Sequence, residues 1–339
     1  MRIVYLLASS VLSGGTKVVL QQAEELASRG HRVTVVCPEP PPSWFPRGRA
    51  AYEESAFGTS RALPESDVAV ATFWTTVEPA VAHAAGRVFH LCQGYEASFG
   101  GYANVRDRIV AAYRLPTRKL ALTPRLREVL RENGHGEAEV IGQAFDAAAF
   151  ASPPRPAREP LSVLLPGIDE GDVKGVRDGL AALVDLRARG EIFRILRVSP
   201  EPVSRWERDL GATDEYHRAV AVDRMPFLYR RADVFLGPSH VEDGFDLPAL
   251  EALASSLPAA LSDTPAHRFS AGDAAVFFPP GDVAAIAEAV AKLLRDRPER
   301  ERLAHRGPAR AAAFRTSDVA DRLEAIFAEA IREEREARK

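Results

Sequence analysis

The stretch best equipped for chemistry is His240-Val-Glu-Asp-Gly-Phe-Asp-Leu-Pro-Ala-Leu-Glu-Ala-Leu-Ala254, which gathers Glu242, Asp243 and Asp246 ahead of a helix and sets Glu251 inside it. Asp246 is placed to N-cap that helix, with Leu247 and Pro248 in the first turn. The unpaired N–H groups of a first turn, at the positive end of the helix, suit an oxygen-rich or phosphorylated ligand. Gly244, beside Asp243 in the preceding loop, permits close backbone approach. At about 100° per residue, Glu251 falls beside Leu247 and Ala254, on the margin of the buried face. There its carboxylate can accept hydrogen bonds from a diol pressed against the helix. A capped surface helix with a stray glutamate is the alternative reading of the same spacing.

The elements that must position these residues follow from hydrophobic periodicity. Residues 2–8, RIVYLLA, read as a strand buried on both faces. Ser13-Gly14-Gly15-Thr16 then turns into an amphipathic helix ending at Gly30, and HRVTVVCP (31–38) is the next strand. Strand, glycine turn, helix, strand is a βαβ unit, which implies a parallel sheet. The alternation continues through SDVAVATF (66–73), RVFHLC (87–92), KLALT (119–123) and AEVIGQAF (138–145). It stops at SPPRPAREP (152–160), where four prolines in nine residues read as a linker.

A second series runs through LSVLLPG (161–167), FRILRVS (193–199), AVAVDRM (219–225), ADVFLGPS (232–239), PAALSD (258–263) and AAVFFPP (274–280). Amphipathic helices follow at 282–296 and 318–339. The expected organisation is an N-terminal Rossmann-like domain over 1–151, the linker over 152–160, a second such domain over 161–316, and a helix over 317–339 packing back towards the first domain. The fold class is therefore α/β, two Rossmann-like parallel-sheet domains with a cleft between them, and ligands belong at the carboxyl ends of the strands.

Composition narrows the function. A formal net charge of −3 argues against a dedicated nucleic-acid binder, which would need a strongly basic domain. Cys37 and Cys92 have neither metal-type spacing nor the numbers for a disulfide framework, so a reducing, cytoplasmic setting fits. No apolar run approaches the roughly 18 residues of a membrane-spanning helix. The opening MRIVYLLASSVLSGG has the outline of a signal peptide, but the helix and strand that follow favour a buried first strand.

LYRRADVFLGPSHVEDGFDLPALEALASSLPAALSD (228–263) resembles the donor-site signature of the GT4 family, retaining glycosyltransferases of the GT-B fold, loosely E-G-F-G-L-P-x-x-E-A-x-A after an AD-V-F-x-x-PS strand. The pair Gly14-Gly15 before a helix ending in Gly30-His-Arg-Val-Thr-Val, FDAAAF (145–150) and GDAAVFFPPGDVAAIAEAV (272–290) are similar to three further elements of that family, in order. The resemblance implies a nucleotide-diphosphate-sugar donor on the C-terminal domain, no cofactor beyond that co-substrate, and an acceptor entering from the N-terminal domain. It also implies roles. Glu251 would bind the nucleotide ribose, Asp243 would lie by the donor sugar, and the backbone from Gly244 through Phe245 and Asp246 to Leu247 would hold sugar hydroxyls and phosphate. Lys174 would stabilise the leaving diphosphate, with Gly14 and Gly15 closing over it from the other side of the cleft. No Asp-x-Asp occurs in the chain, so the expected mechanism needs no metal.

Three positions depart from the family pattern. The first acid is Asp243 rather than Glu, the second glycine is Asp246, and the strand-end arginine that usually accompanies the lysine is Ile168. Losing a bidentate cation from a diphosphate site costs on the order of 2–3 kcal/mol if nothing replaces it. A degenerate protein that binds nucleotide sugar, or serves as a partner subunit, is therefore the second reading. A nucleotide-cofactor dehydrogenase or epimerase lacks support, because SGGT is not a full G-x-G-x-x-G.

On the acceptor side, RVFHLCQGYEASF (87–99) ends a strand with Gln93, Tyr95 and Glu96. Many members of the family place a catalytic histidine at this turn; Gln93 stands there, with His90 inside the strand, where a core histidine is the alternative. The segment also resembles the rhamnosyltransferase-like branch. From Arg106 to Arg131 there are eight basic and two acidic residues. They read either as a solvated face or as contact with an anionic acceptor or the inner membrane face. The acceptor class stays open between a glycan, a lipid-linked and a small-molecule compound.

Overall fold

A computed structural model describes all residues except 57–62, 155–158, 170–171, 241–243 and 338–339. The chain forms two compact units, Met1–Phe145 with Phe314–Lys339, and Asp146–Ala313.

Among the described residues the first unit is built on seven parallel strands: β1 (Arg2–Leu6), β2 (Arg32–Cys37), β3 (Ala51–Glu54), β4 (Val68–Ala71), β5 (Arg87–Cys92), β6 (Arg118–Ala121) and β7 (Ala138–Val140), in the order β3-β2-β1-β4-β5-β6-β7. The central strands β1 and β4 are apolar at successive positions because both faces are covered, and Ile3 to Leu6 and Val68 to Ala71 are buried. The edge strand β3, AYEE, carries no such pattern and was not legible in the sequence. The connecting helices include α1 (Gly14–Ser28), α2 (Trp74–His83), α3 (Arg106–Tyr113) and α4 (Pro124–Glu132). Ser13 caps α1, its Oγ accepting from Thr16 N at 3.1 Å, and Gly30, at φ 92°, turns the chain after it.

Among the described residues the second unit holds six parallel strands: β8 (Leu161–Pro166), β9 (Phe193–Ser199), β10 (Glu215–Arg218), β11 (Val234–Gly237), β12 (Ala259–Ser262) and β13 (Ala275–Phe278), in the order β10-β9-β8-β11-β12-β13. Its helices are α5 (Ala147–Phe150), α6 (Val176–Ala188), α7 (Arg205–Leu210), α8 (Met225–Tyr229), α9 (Leu247–Ala254), α10 (Pro265–Ala271), α11 (Val283–Arg295) and α12 (Arg297–Ala311). The expected strand at 219–225 is not one. Pairing with β9 involves residues 215–218, Ala219 turns the chain at φ 47°, and 222–224 form a 3-10 turn into α8. Helix α12 was not expected from its arginine-rich sequence. It is fixed by Asp296, which caps it through Glu299 N at 3.0 Å, and by Arg300, which donates to the carbonyls of Leu293 and Leu294. Gly307 brings α12 so close to α9 that a Cβ there would lie 2.7 Å from the Leu253 carbonyl oxygen.

The boundary between the units falls at Phe145/Asp146 rather than in the proline stretch. Asp146 caps α5 through Ala149 N at 3.2 Å, the Phe150 ring packs edge-on against Tyr229 at 5.8 Å, and Ser255 Oγ donates to Phe150 O. These contacts fasten 146–150 to the second unit. After Ala313 the chain returns to the first unit as α13 (Thr316–Ala337). There Phe327 packs with tilted rings against Phe89 at 4.8 Å, and the Arg29 guanidinium, on the residue closing α1, grips Asp321, Glu324 and the Ser317 carbonyl.

Candidate functional site

In the second unit the loops after β8 and β11 are laced together. Ser239 Oγ and His240 N both donate to the Val173 carbonyl at 3.0 Å. The fit requires Gly175, whose φ is 59° and where a Cβ would lie 2.0 Å from the Pro238 carbonyl oxygen. This lacing delivers Lys174 to the head of α9, with its Nζ 3.1 Å from Asp246 Oδ1.

Asp246 does precede α9, but its side chain makes no cap hydrogen bond. The carboxylate is buried and turned away, taking Lys174 on one oxygen and the Nε2–H of His267 on the other, at 3.1 Å. Burial by itself would raise this carboxyl; Lys174 and His267 outweigh it and hold the group well below the usual carboxylate range. His267 is in turn seated by Ser262, whose carbonyl and hydroxyl oxygens both lie 2.9 Å from Nδ1.

Glu251 is not on the margin of the core but in it, 6% exposed, with Oε2 accepting the Tyr229 hydroxyl at 2.8 Å. Burial, and then the neighbouring Glu251, push the Tyr229 phenol up, so it stays a donor. Gly244 and Leu247 are buried, and Phe245 meets the Phe269 ring edge-on at 6.3 Å. Asp243 lies outside the described residues, as does Glu242.

Ile168 is exposed on the loop after β8. A buried arginine that sequence reasoning missed is close by: Arg197 on β9 is 0% exposed, pairs with Glu207 at 2.9 Å and donates to the carbonyls of Leu165 and Gly167. It braces the end of β8 from within. The only signal for it was its phase, since Arg197 shares the inward register of Phe193 and Ile195.

In the first unit, a pocket of about 360 Å³ opens at the carboxyl ends of β1, β4 and β5, lined by Ser9, Ser13, Gly15, Thr16, Thr72, Phe73, Gln93, Glu96, Phe99 and Tyr102 among others. Gln93 and Gly15 are brought together here, Nε2 donating to the Gly15 carbonyl at 3.3 Å. Gly14 is exposed at the first turn of α1. Glu96 lines the pocket, with Oε2 accepting the Tyr113 hydroxyl. Tyr95, adjacent in sequence, points instead into the core, where its hydroxyl meets His135 Nε2 at 2.8 Å.

His90 is also in the core, fully buried against the Tyr113 ring at 4.6 Å. Neither of its ring nitrogens has a hydrogen-bond partner among the described residues. Burial, then the Lys119 and His135 charges, push it down to about 3, so it is neutral at physiological pH. Of the four acceptor-side residues, Gln93 and Glu96 reach the pocket and His90 and Tyr95 do not. The aromatic wall of Phe73, Phe99 and Tyr102 was missed, because three rings from two loops carry no spacing signal.

The basic stretch 106–131 is partly neutralised. Arg118 pairs with Glu139 and Glu333, Arg125 with Glu128 and Glu132, and Lys119 is buried. Arg106, Arg114, Arg127 and Arg131 stay exposed. Among the described residues no group of three or more His, Cys, Asp or Glu side chains could hold a metal ion, and no helix is long and apolar enough to cross a membrane.

Comparison with known proteins agrees with this layout. Over 97% of the chain the fold superposes on sucrose-phosphate synthase from Thermosynechococcus elongatus, with a TM-score of 0.78, 17% identity and 98% of that chain covered. It superposes likewise on Anabaena HepE in complex with UDP-glucose, with a TM-score of 0.76, 14% identity, and 97% and 100% of the two chains covered. The architecture is GT-B. By sequence, the chain is 35% identical over 109 residues to O-antigen chain mannosyltransferase B of Escherichia coli, an overlap of 32% of this chain and 26% of that protein. The chain thus matches about a quarter of the relative's length. Residues 162–296, the segment that holds Lys174, Asp246 and Glu251, match the model for glycosyl transferases group 1.

Proposed function

We propose that the protein is a retaining glycosyltransferase that moves a hexose from a nucleotide-diphosphate-sugar donor to an acceptor hydroxyl without a metal ion. The observation that carries this reading is the Lys174 ammonium at the head of α9, inside the segment matching the glycosyl transferase family. The positive end of α9 and Lys174 are suited to the diphosphate, and Glu251, steadied by Tyr229, to the ribose. Asp243 and the backbone from Gly244 to Leu247 are assigned to the donor sugar. HepE, of the same fold, is described with UDP-glucose bound, which makes a uridine nucleotide the first donor to try.

In the reaction the bond from the anomeric carbon to the diphosphate oxygen breaks. The acceptor oxygen bonds to that carbon on the same face, and its proton passes to the departing phosphate. Charge builds on the diphosphate as the bond breaks, so Lys174 and the α9 N–H groups act where they stabilise the transition state most. The acceptor belongs in the pocket of the first unit, with Gln93 and Glu96 orienting its hydroxyl. Contact of the exposed Arg106, Arg114, Arg127 and Arg131 with an anionic membrane surface is part of the proposal, and co-sedimentation with anionic vesicles at low and high salt checks it.

The second reading, a weak or inactive binder of nucleotide sugar, is favoured by one observation: Lys174 is already paired with Asp246, and exposed Ile168 offers no second cation. Thermal melts with UDP, GDP, dTDP and ADP, with and without magnesium, test donor binding. Release of free nucleotide from the matching nucleotide sugar then tests turnover. One diphosphate raising the melting temperature regardless of magnesium, followed by turnover, supports the enzyme; stabilisation without turnover supports the binder. No response to any nucleotide refutes both.

A further inference from the structure

The head of α9 already contains an anion. A helix N-cap aspartate ordinarily turns its oxygen back onto the N–H of the second or third residue. Asp246 does not: it makes no cap hydrogen bond, is 7% exposed, and gives its two oxygens to Lys174 and His267 at 3.1 Å each. A carboxylate of the chain thus holds the cation, beside the helix end, that suits a phosphate oxygen.

We propose that Asp246 is a built-in competitor for the donor diphosphate at Lys174, and that this residue sets how tightly the site holds a nucleoside diphosphate. The inference rests on the donor reading above and names the residue that tunes it.

Two effects of opposite sign must be weighed. By pinning Lys174, Asp246 spares some of the side chain's freedom that a ligand would otherwise remove. That gain is small, because the Lys174 side chain is 38% exposed and such pairs are weak. Against it, two anions sharing one ammonium lie within about 6 Å of each other. At an effective dielectric near 20 their repulsion weakens binding on the order of tenfold or more. Repulsion wins. His267 does not reverse the sign, because its Nε2–H goes to the same carboxylate and neutralising that carboxylate releases the donor towards an incoming oxygen.

The test is isothermal titration of UDP, GDP, dTDP and ADP, and of the matching uncharged nucleosides, into the wild-type protein, Asp246→Asn and Asp246→Gly, each confirmed folded by its melt. The two variants remove the charge with and without a side chain, so one folding failure leaves the other to decide. The expected result is at least tenfold tighter binding of the preferred diphosphate in the variants, with nucleoside binding unchanged. A purely structural role for Asp246 would not separate diphosphate from nucleoside. Folded variants that bind the diphosphate no better than wild type overturn the inference and leave the donor reading standing. Absence of diphosphate binding in every protein removes the donor reading and this inference with it.

Discussion

Replacing Glu251 by alanine should destabilise the second unit, and the size of the effect can be worked from its surroundings. The Glu251 side chain is buried with its carboxylate on the Tyr229 hydroxyl, and Tyr229 is itself 0% exposed. Truncation takes the Glu251 acceptor from that hydroxyl, at about 1–3 kcal/mol, and removes one buried methylene at about 0.8 kcal/mol. Relief of the buried charge returns part of this. A net loss of about 2–3 kcal/mol remains, which lowers the melting temperature by roughly 4–12 °C in a unit of this size. Calorimetry of the wild type and Glu251→Ala measures it. Glu251→Gln keeps an acceptor for Tyr229 and should stay within about 1 kcal/mol of wild type, so it isolates any loss of nucleotide affinity from loss of fold. Glu251→Ala with Tyr229→Phe should cost less than the two single changes together, since both break one hydrogen bond. An alanine variant melting within a degree of wild type would refute the reasoning.

Three further outcomes are expected. Because the folded protein holds the Asp246 carboxyl below its unfolded value near 4, the pair contributes stability above that pH and loses it as pH falls towards the depressed folded value; melting curves between pH 3 and 7 should show a shallower acid limb for Asp246→Asn, and equal limbs would exclude the effect. Arg197→Met leaves the buried Glu207 without its cation, with the Thr213 hydroxyl still donating to it, and should cost about 3–5 kcal/mol, much of it recovered by adding Glu207→Leu; a melt unchanged by the single substitution would contradict a bracing role. Gly15→Ala places a Cβ 3.2 Å from Gln93 Nε2, so it should displace Gln93 and lower turnover several-fold while stability stays within about 1 kcal/mol; unchanged turnover would show that Gln93 has no part in the chemistry.

What the sequence made legible was local. RIVYLLA announces a doubly covered strand, Gly30 the end of α1, and the 228–263 stretch the strand β11 and the helix α9, because each depends on periodicity or on one residue's backbone preference. What it hid was non-local. Nothing near Asp246 reveals that its carboxylate will be claimed by Lys174, 72 residues earlier, and by His267, 21 residues later, so spacing makes it a cap when tertiary contacts make it an ion pair. Glu251 was placed on the edge of the core for the same reason: its angle on the helix is right, but Tyr229 comes from α8, and α12 packs close to α9. The strand expected at 219–225 failed because alternation of alanine and valine outranked EYHR, whose polar side chains sit at the margin of the sheet beside β9.

The return of α13 to the first unit has a consequence for the order of events during synthesis. The first unit comprises Met1–Phe145 and Phe314–Lys339, so the whole of Asp146–Ala313 is made before its missing helix exists. At about 5–20 residues per second, that interval lasts roughly ten to thirty seconds. Throughout it the Phe89 ring lacks Phe327, its neighbour at 4.8 Å, and Arg29 lacks its acidic partners on α13. The second unit, continuous in sequence, can close as soon as it leaves the ribosome, whereas the first stays incomplete until after it. The nascent chain thus finishes its later half first, and a ribosome stalled between residues 146 and 313 would present a first sheet without α13, with an aromatic gap at Phe89 as a ready target for chaperones.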